Sequence, residues 1–242
     1  MTINVEAALA VLQRHLAEFE AAQPFAARTG HTVPTDTKSW SQILISELTG
    51  LSGLARKKGA DLDDGSDVKG ANTWEAIDTP RFNGVLSAGR ATKEHSGKLE
   101  SLNSMPYVFF VLWDISPRGN KRCRVWVVRA KLDPLFRETC ARWYADFSAN
   151  RTSNNFQLHP PRGLDSNVIR NSRGSLQYPL LLAAEVENGR YKVTCCDEAI
   201  LSSGLCTQPP DEGVPAELLS KPAQRRRRRQ ISDDDSQLAD LL

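Results

Sequence analysis

Residues 105–114, MPYVFFVLWD, constrain this chain more than any other stretch, because apolar side chains occupy both alternating faces. A half-exposed strand alternates apolar and polar residues, whereas a strand covered on both sides reads as one apolar run. Residues 122–131, RCRVWVVRAK, follow across the SPRGNK turn and pair with it as a second strand. A sheet this apolar needs cover, and the flanking segments offer it. Residues 4–20 read as an amphipathic helix capped by Asn4, with Val5, Leu9, Leu12, Leu16 and Phe19 at helical spacing. A loop carrying Pro24, Gly30 and Pro34 follows, then a helix from Ser39 to about Leu51. Asp133-Pro134 opens a further helix to about Ser148, and residues 178–187 and 190–196 form a late hairpin around Asn188-Gly189. The expected fold class is α/β: a mixed central sheet flanked by helices.

The second helix carries an anomaly. Its apolar stripe is Trp40, Ile43, Leu44, Leu48 and Leu51, and Glu47 falls inside it. A carboxylate so placed needs a partner or a metal, unless it reaches solvent at the stripe's margin. Downstream, Asp64-Gly65 is a tight-turn signal, so residues 56–62 and 67–77 read as the arms of a β-hairpin. In a strand, residues two apart share a face, which puts Asp67 and Lys69 together, and the turn brings Asp61 back against them. With the Glu47 helix packed there, three carboxylates and an ammonium converge. Such a set suits Mg²⁺, which takes one or two carboxylates plus water and phosphate oxygens. A lysine beside it orients attacking water and offsets charge on phosphate, the requirements of phosphodiester hydrolysis. A solvated acidic turn is the plainer account of Asp61, Asp63, Asp64 and Asp67.

A helix glutamate, an aspartate at a strand end and Asp67-Val68-Lys69 on the next strand together resemble the PD-(D/E)XK nuclease superfamily. The order of elements over residues 39–150 agrees with that superfamily's core. Ala60 stands where the superfamily has proline, and the step from Asp61 to Asp67 is short, so Asp63 and Asp64 remain open as substitutes for Asp61. Length, layout and the lack of an ATPase motif look most like a type II restriction endonuclease. The stretches SDVKGANTWEAIDTPRFNGV and SNNFQLHPPR, with NVIRN, are similar to MamI-type enzymes. The resemblance implies Mg²⁺-dependent cutting of double-stranded DNA at a short symmetric site by a homodimer. Asp61, Asp67 and Glu47 would hold the metal, Lys69 would assist water, and Glu47 could instead orient Lys69.

Charge and loop composition favour the same substrate. The net charge of +2 hides a segment, residues 118–182, with twelve basic against four acidic side chains, which suggests a basic face for phosphate. Residues 150–177 read as a long polar loop carrying Asn154, Asn155, Gln157, His159, Arg162, Asn167, Arg170, Asn171 and Arg173. Asn and Gln pair with adenine and Arg with guanine, so this loop is the expected DNA-recognition region.

No apolar run reaches the length of a membrane span, the start lacks a signal-peptide pattern, and five cysteines are odd in number. A reducing intracellular compartment and free thiols follow. No nucleotide-binding motif is present. The 242 residues fit a single nuclease domain over 1–207, followed by a charged tail over 208–242, disordered after about Pro222 with a short helix at 216–220. Competing classes are a repair nicking enzyme of the same chemistry, a metal-independent DNA-binding module, and a protein-interaction domain that would leave the basic segment unexplained.

Overall fold

The computed structural model of the chain describes residues 1–33, 36–55, 59–73, 79–86, 96–115, 121–153, 155–161, 163 and 165–210. Residues 116–120 of the expected SPRGNK turn, residues 56–58 and 74–77 of the expected hairpin arms, and the tail beyond residue 210, with its expected helix at 216–220, lie outside these residues, whereas Gln208 at the start of the expected tail pairs with Gln177.

Helix α1 runs Val5–Thr29, with the Asn4 side chain accepting from Ala7 N–H. It passes straight through Pro24, where the sequence predicts a loop. The stop is Gly30, whose left-handed backbone (φ 71°) turns its N–H back to the carbonyls of Ala26 and Ala27. Helix α2 is Thr37–Thr49, and Asp36 rather than Ser39 caps it, accepting from the N–H groups of Lys38 and Ser39. Its buried side is Ser41, Leu44, Ile45 and Leu48, while Ile43 is 47% exposed. The face is thus rotated from the predicted stripe, because Ser41 seats against the sheet. Glycine at position 70 permits this: a Cβ there would lie 2.6 Å from Ser41 Oγ. Ser41 Oγ in turn accepts from the Trp113 indole N–H at 3.0 Å.

Strands β1 (Asp67–Asn72), β2 (Val108–Ile115), β3 (Lys121–Val128), β6 (Leu180–Glu187) and β7 (Arg190–Cys196) form one sheet in the order β1-β2-β3-β6-β7. Short strands β4 (Val168–Asn171) and β5 (Gly174–Gln177) pair separately. Helix α3 (Ser96–Asn103) lies between β1 and β2, α4 (Pro134–Ser148) follows β3 with Asp133 as cap, and α5 is Ala199–Ser202. Among the described residues, 59–62 and 67–73, the predicted hairpin between residues 56–62 and 67–77 is not formed. Leu62 makes a single bridge to Gly53, and β1 pairs instead in parallel with β2. The other pairs in the sheet are antiparallel. The late hairpin matches the sequence: Asn188 and Gly189 hold φ of 51° and 75°, the left-handed pair of a tight turn.

Strand β2 is buried on both faces as its run of apolar residues predicts. Phe109, Val111 and Trp113 join Leu12, Leu16, Leu44 and Leu48 of α1 and α2. Val108, Phe110 and Leu112 join Phe136, Cys140 and Trp143 of α4. Residues 150–177, predicted as irregular loop, are a folded layer on that second face. Phe156, Leu158, Ile169 and Tyr178 sit in its core, and Leu158 pairs with Phe82. No helix among the described residues is long and apolar enough to cross a membrane. The five cysteines are free thiols.

Gly70→Ala is expected to cost about 1–3 kcal/mol, since the new methyl would meet not only Ser41 Oγ but, closer still, the backbone carbonyl oxygen of Thr37 in α2. Urea unfolding of the variant beside wild type measures it, and an unchanged midpoint would show that α2 can back away freely.

Candidate active site

The chain approaches β1 through a turn closed by Gly65 N–H on Leu62 C=O at 3.1 Å. Gly65 needs its freedom twice over: its φ is 95°, and a Cβ would lie 2.6 Å from Ser104 O. Asp64 stabilises the turn, its two oxygens accepting from Ser66 N–H at 2.8 Å and Ser66 Oγ–H at 2.9 Å. Tyr107 N–H donates to Ser66 Oγ, and Asp67 N–H donates to Tyr107 C=O at 3.0 Å, which starts the β1–β2 ladder.

Three predicted residues meet at this point. Asp61 Oδ2 and Asp67 Oδ1 both accept from the single N–H of Val68, at 3.1 and 3.0 Å. Lys69 Nζ lies 2.7 Å from Asp67 Oδ2, on the face the two-residue spacing requires. The Asp67 side chain is only 7% exposed and that of Lys69 18%. Burial pushes the Asp67 carboxyl from its ordinary 3.8 up to about 7. The Lys69 ammonium opposes that rise, and the Asp61 carboxyl, hydrogen-bonded to it and of like charge, adds to it.

The other candidates fare differently. Asp63 is exposed, and Asp64 is spent on the turn. Glu47 does not join the cluster. It is exposed, because the face of α2 that meets the sheet is set by Ser41, Leu44, Ile45 and Leu48. Among the described residues no group of three or more His, Cys, Asp or Glu side chains could hold a metal, so the site offers a pair of carboxylates.

The polar side chains expected to read bases mostly hold their own layer together. Asn167 Oδ1 accepts from the Trp126 indole N–H at 2.9 Å, and Asn155 Oδ1 accepts from Gly84 N–H at 3.1 Å. Asn171 Oδ1 closes the β4–β5 turn on Arg173 N–H. Arg173 is ion-paired to Asp146 at 2.8 Å, and Arg170 donates to Pro160 C=O at 3.1 Å. His159 Nδ1 lies 3.3 Å from Pro80 O, and its backbone pairs with Arg170. Gln157 is half-buried, while Asn154 and Arg162 lie outside the described residues.

A buried ion cluster escaped the sequence reading. Asp114 takes a two-pronged contact from Arg122, at 2.7 and 3.0 Å, and a third bond from Arg124 at 2.7 Å. Arg124 also donates to the carbonyls of Gly163 and Ser166 and stacks over Trp126 at 4.8 Å. Two members of the basic segment are thus internal, fastening the 163–167 stretch to the sheet. The signal was available: Arg122 and Arg124 alternate on one strand, and Arg122 pairs in register with Asp114.

A five-stranded mixed sheet flanked by helices, with Asp67 and Lys69 on its edge strand and Asp61 just before the turn that leads into it, has the architecture of a restriction-endonuclease-like core. Comparison with known families is specific. The model of the MamI restriction endonuclease family matches residues 24–190, more than half of the chain, and the chain belongs to that family. A similar curated protein is the type II restriction enzyme MamI of Microbacterium ammoniaphilum, 33% identical over 172 residues, covering 66% of this chain and 54% of the relative. The chain therefore spans about half the length of that relative. No solved structure matches significantly.

Because its folded value lies above the unfolded one, Asp67 lowers stability once the pH exceeds both, and that cost fades as the pH falls from about 7 toward 3.8. Asp67→Asn is therefore expected to be more stable than wild type in EDTA near pH 8, by on the order of 1–3 kcal/mol, with the gap narrowing toward about pH 5. Thermal unfolding followed by circular dichroism at both pH values reads the difference. A gap that widened on acidification would show that Asp67 is ionised at little cost.

Proposed function

We propose that the chain is a type II site-specific deoxyribonuclease, hydrolysing phosphodiester bonds of double-stranded DNA with Mg²⁺. The observation that carries this reading is the buried convergence of Asp61, Asp67 and Lys69 in a member of the MamI restriction endonuclease family. Two carboxylates forced together at low exposure, one with its carboxyl raised to about 7, are costly unless a cation shares the site. The donor set fits Mg²⁺, which accepts one or two carboxylates and fills its remaining positions with water and substrate phosphate oxygens. When bound, the ion supplies Lewis-acid polarisation and makes water a nucleophile near neutral pH.

The chain's own residues do the rest. Asp61 and Asp67 hold the ion, and Val68 N–H fixes both carboxylates in place through one shared donor. Lys69 opposes the rise that burial imposes on the Asp67 carboxyl, and its ammonium would meet negative charge developing on the scissile phosphate. Glu47 takes no part in this reading. Recognition falls to the layer at residues 155–177 as a unit, presented by its backbone pairing rather than by a free loop. Cutting both strands of a symmetric site calls for two copies, so the reading includes a homodimer working inside a reducing cytoplasm.

The test is a digest of plasmid and phage-λ DNA by wild type beside Lys69→Ala, each with Mg²⁺ and with EDTA. Discrete bands are expected only for wild type with metal, and Lys69→Ala should lose at least about a hundredfold in rate. Gel-shifted but intact DNA under every condition would reject the enzyme, and a smear or nicked circle would favour a repair nuclease.

A further inference from the structure

The basic segment at residues 118–182 resolves into two populations. Arg122 and Arg124 are buried on Asp114, Lys121 pairs with Glu20, Arg142 with Glu138, and Arg151 and Arg173 share Asp146. Arg170 donates to Pro160 C=O, and Arg118 and Arg162 lie outside the described residues. Arg129, Lys131 and Arg137 form no ion pair among the described residues, and all three gather at one place. A cleft of about 410 Å³ between the end of α3 and the β3–α4 connection is lined by Asn103, Ser104, Tyr107, Arg129, Lys131 and Leu132, with Pro106. Arg137 stands at its rim, donating to Asn103 Oδ1 at 2.9 Å and to Ala130 C=O. Arg129 donates to Ser203 C=O, which steadies its guanidinium. Lys131 is exposed.

The nearest carboxylate on this connection does not neutralise them. Asp133 is wholly buried, its oxygens accepting from Phe136 N–H, Thr207 N–H and Thr207 Oγ–H. Glu138, on the first turns of α4, is already paired with Arg142. The cleft also borders the candidate active site through the backbone. Ser104 O lies against Gly65 of the turn between Asp61 and Asp67, and Tyr107 C=O accepts from Asp67 N–H.

We propose that this cleft is a clamp for a backbone phosphate of the DNA flanking the cut, gripped by Arg129, Lys131 and Arg137. Cations with no carboxylate partner among the described residues, beside the loop that carries Asp61 and Asp67, are the arrangement that recruits a polyanion along one path past the site. The clamp rests on the nuclease reading for the identity of its ligand, and it contributes register and affinity without reading sequence.

The experiment titrates salt against binding of a mixed-sequence DNA duplex in EDTA, by fluorescence anisotropy. It compares wild type, Lys131→Gln, the double variant Lys131→Gln with Arg137→Gln, and Lys192→Gln as a control. Lys192 is an exposed lysine on β7 paired with Glu187 of β6, so the control removes a charge elsewhere. The slope of log affinity on log salt is expected to fall by about 0.9 for each contact removed, with the control unchanged. Thermal melts of each variant confirm folding. Slopes for the cleft variants equal to that of the control would overturn the clamp, as would a wild type that binds no DNA. A parallel digest with Mg²⁺ separates the two readings. Reduced slopes with no cleavage by wild type leave the clamp standing and remove the nuclease. Cleavage by wild type with unchanged slopes does the reverse.

Discussion

A strand shielded on both faces must find backbone partners on both edges, because no water reaches its N–H and C=O groups. Residues Val108 to Trp113 of β2 are in that position, every one of them fully buried. One edge is served by β3, which follows directly in sequence and is itself apolar. The other edge is served by Asp67–Asn72, a run of six residues, DVKGAN, with little strand character of its own. Its conformation is imposed by the neighbour it covers. That dependence explains how a segment carrying an aspartate, a lysine and a glycine can lie in a sheet at all. It also explains why the site sits at the sheet's margin. There a buried carboxylate can retain a lysine partner and an approach from outside.

The glycine in that run has its own consequence. Gly70 lets α2 come close enough for Ser41 to meet both the strand and the Trp113 indole. Once Ser41 faces inward, the helical period sends Glu47 outward. A stripe assigned by counting apolar side chains could not register this, because the deciding contact is between a serine and an absent side chain. The same kind of reason governs the missing hairpin. Asp64-Gly65 does make the turn, but its first arm meets Gly53 at a single bridge, while β1 is drawn to β2 by the larger apolar strand.

What was legible in the sequence was chiefly what burial decides locally. The double-sided apolar run, the Asp133-Pro134 helix start, the Asn188-Gly189 turn and the shared face of Asp67 and Lys69 are all set by neighbours close in the chain. The layer at 155–177 was not legible as structure, because its ordering comes from distant partners such as Phe82, Phe110 and Trp126. Its Asn and Arg side chains have the composition of a recognition loop, yet several are consumed in satisfying buried polar groups of the layer. Composition identifies which hydrogen bonds a residue can make, and only the fold says which are already taken.

The charge balance carries the same lesson further. A segment with twelve cations looks like a uniformly basic face, but an arginine bound to a buried carboxylate contributes almost nothing to the field outside. Arg122 and Arg124 are internal fasteners, Arg142 is matched by Glu138, and Arg151 and Arg173 share the single charge of Asp146. Among the described residues Arg129, Lys131 and Arg137 carry no carboxylate partner, and they gather at the cleft beside Tyr107. The aspartates of the candidate site present the opposite sign a short way along the same loop. Bare, that pair would repel a phosphate. On the proposed reading, a cation held by Asp61 and Asp67 would reverse the local sign, so that the proposed clamp and the carboxylate pair would attract one continuous backbone only with the metal in place. On that proposal DNA held in the absence of metal would be held by the cleft, and the metal would then decide whether the neighbouring phosphate can enter the carboxylate site.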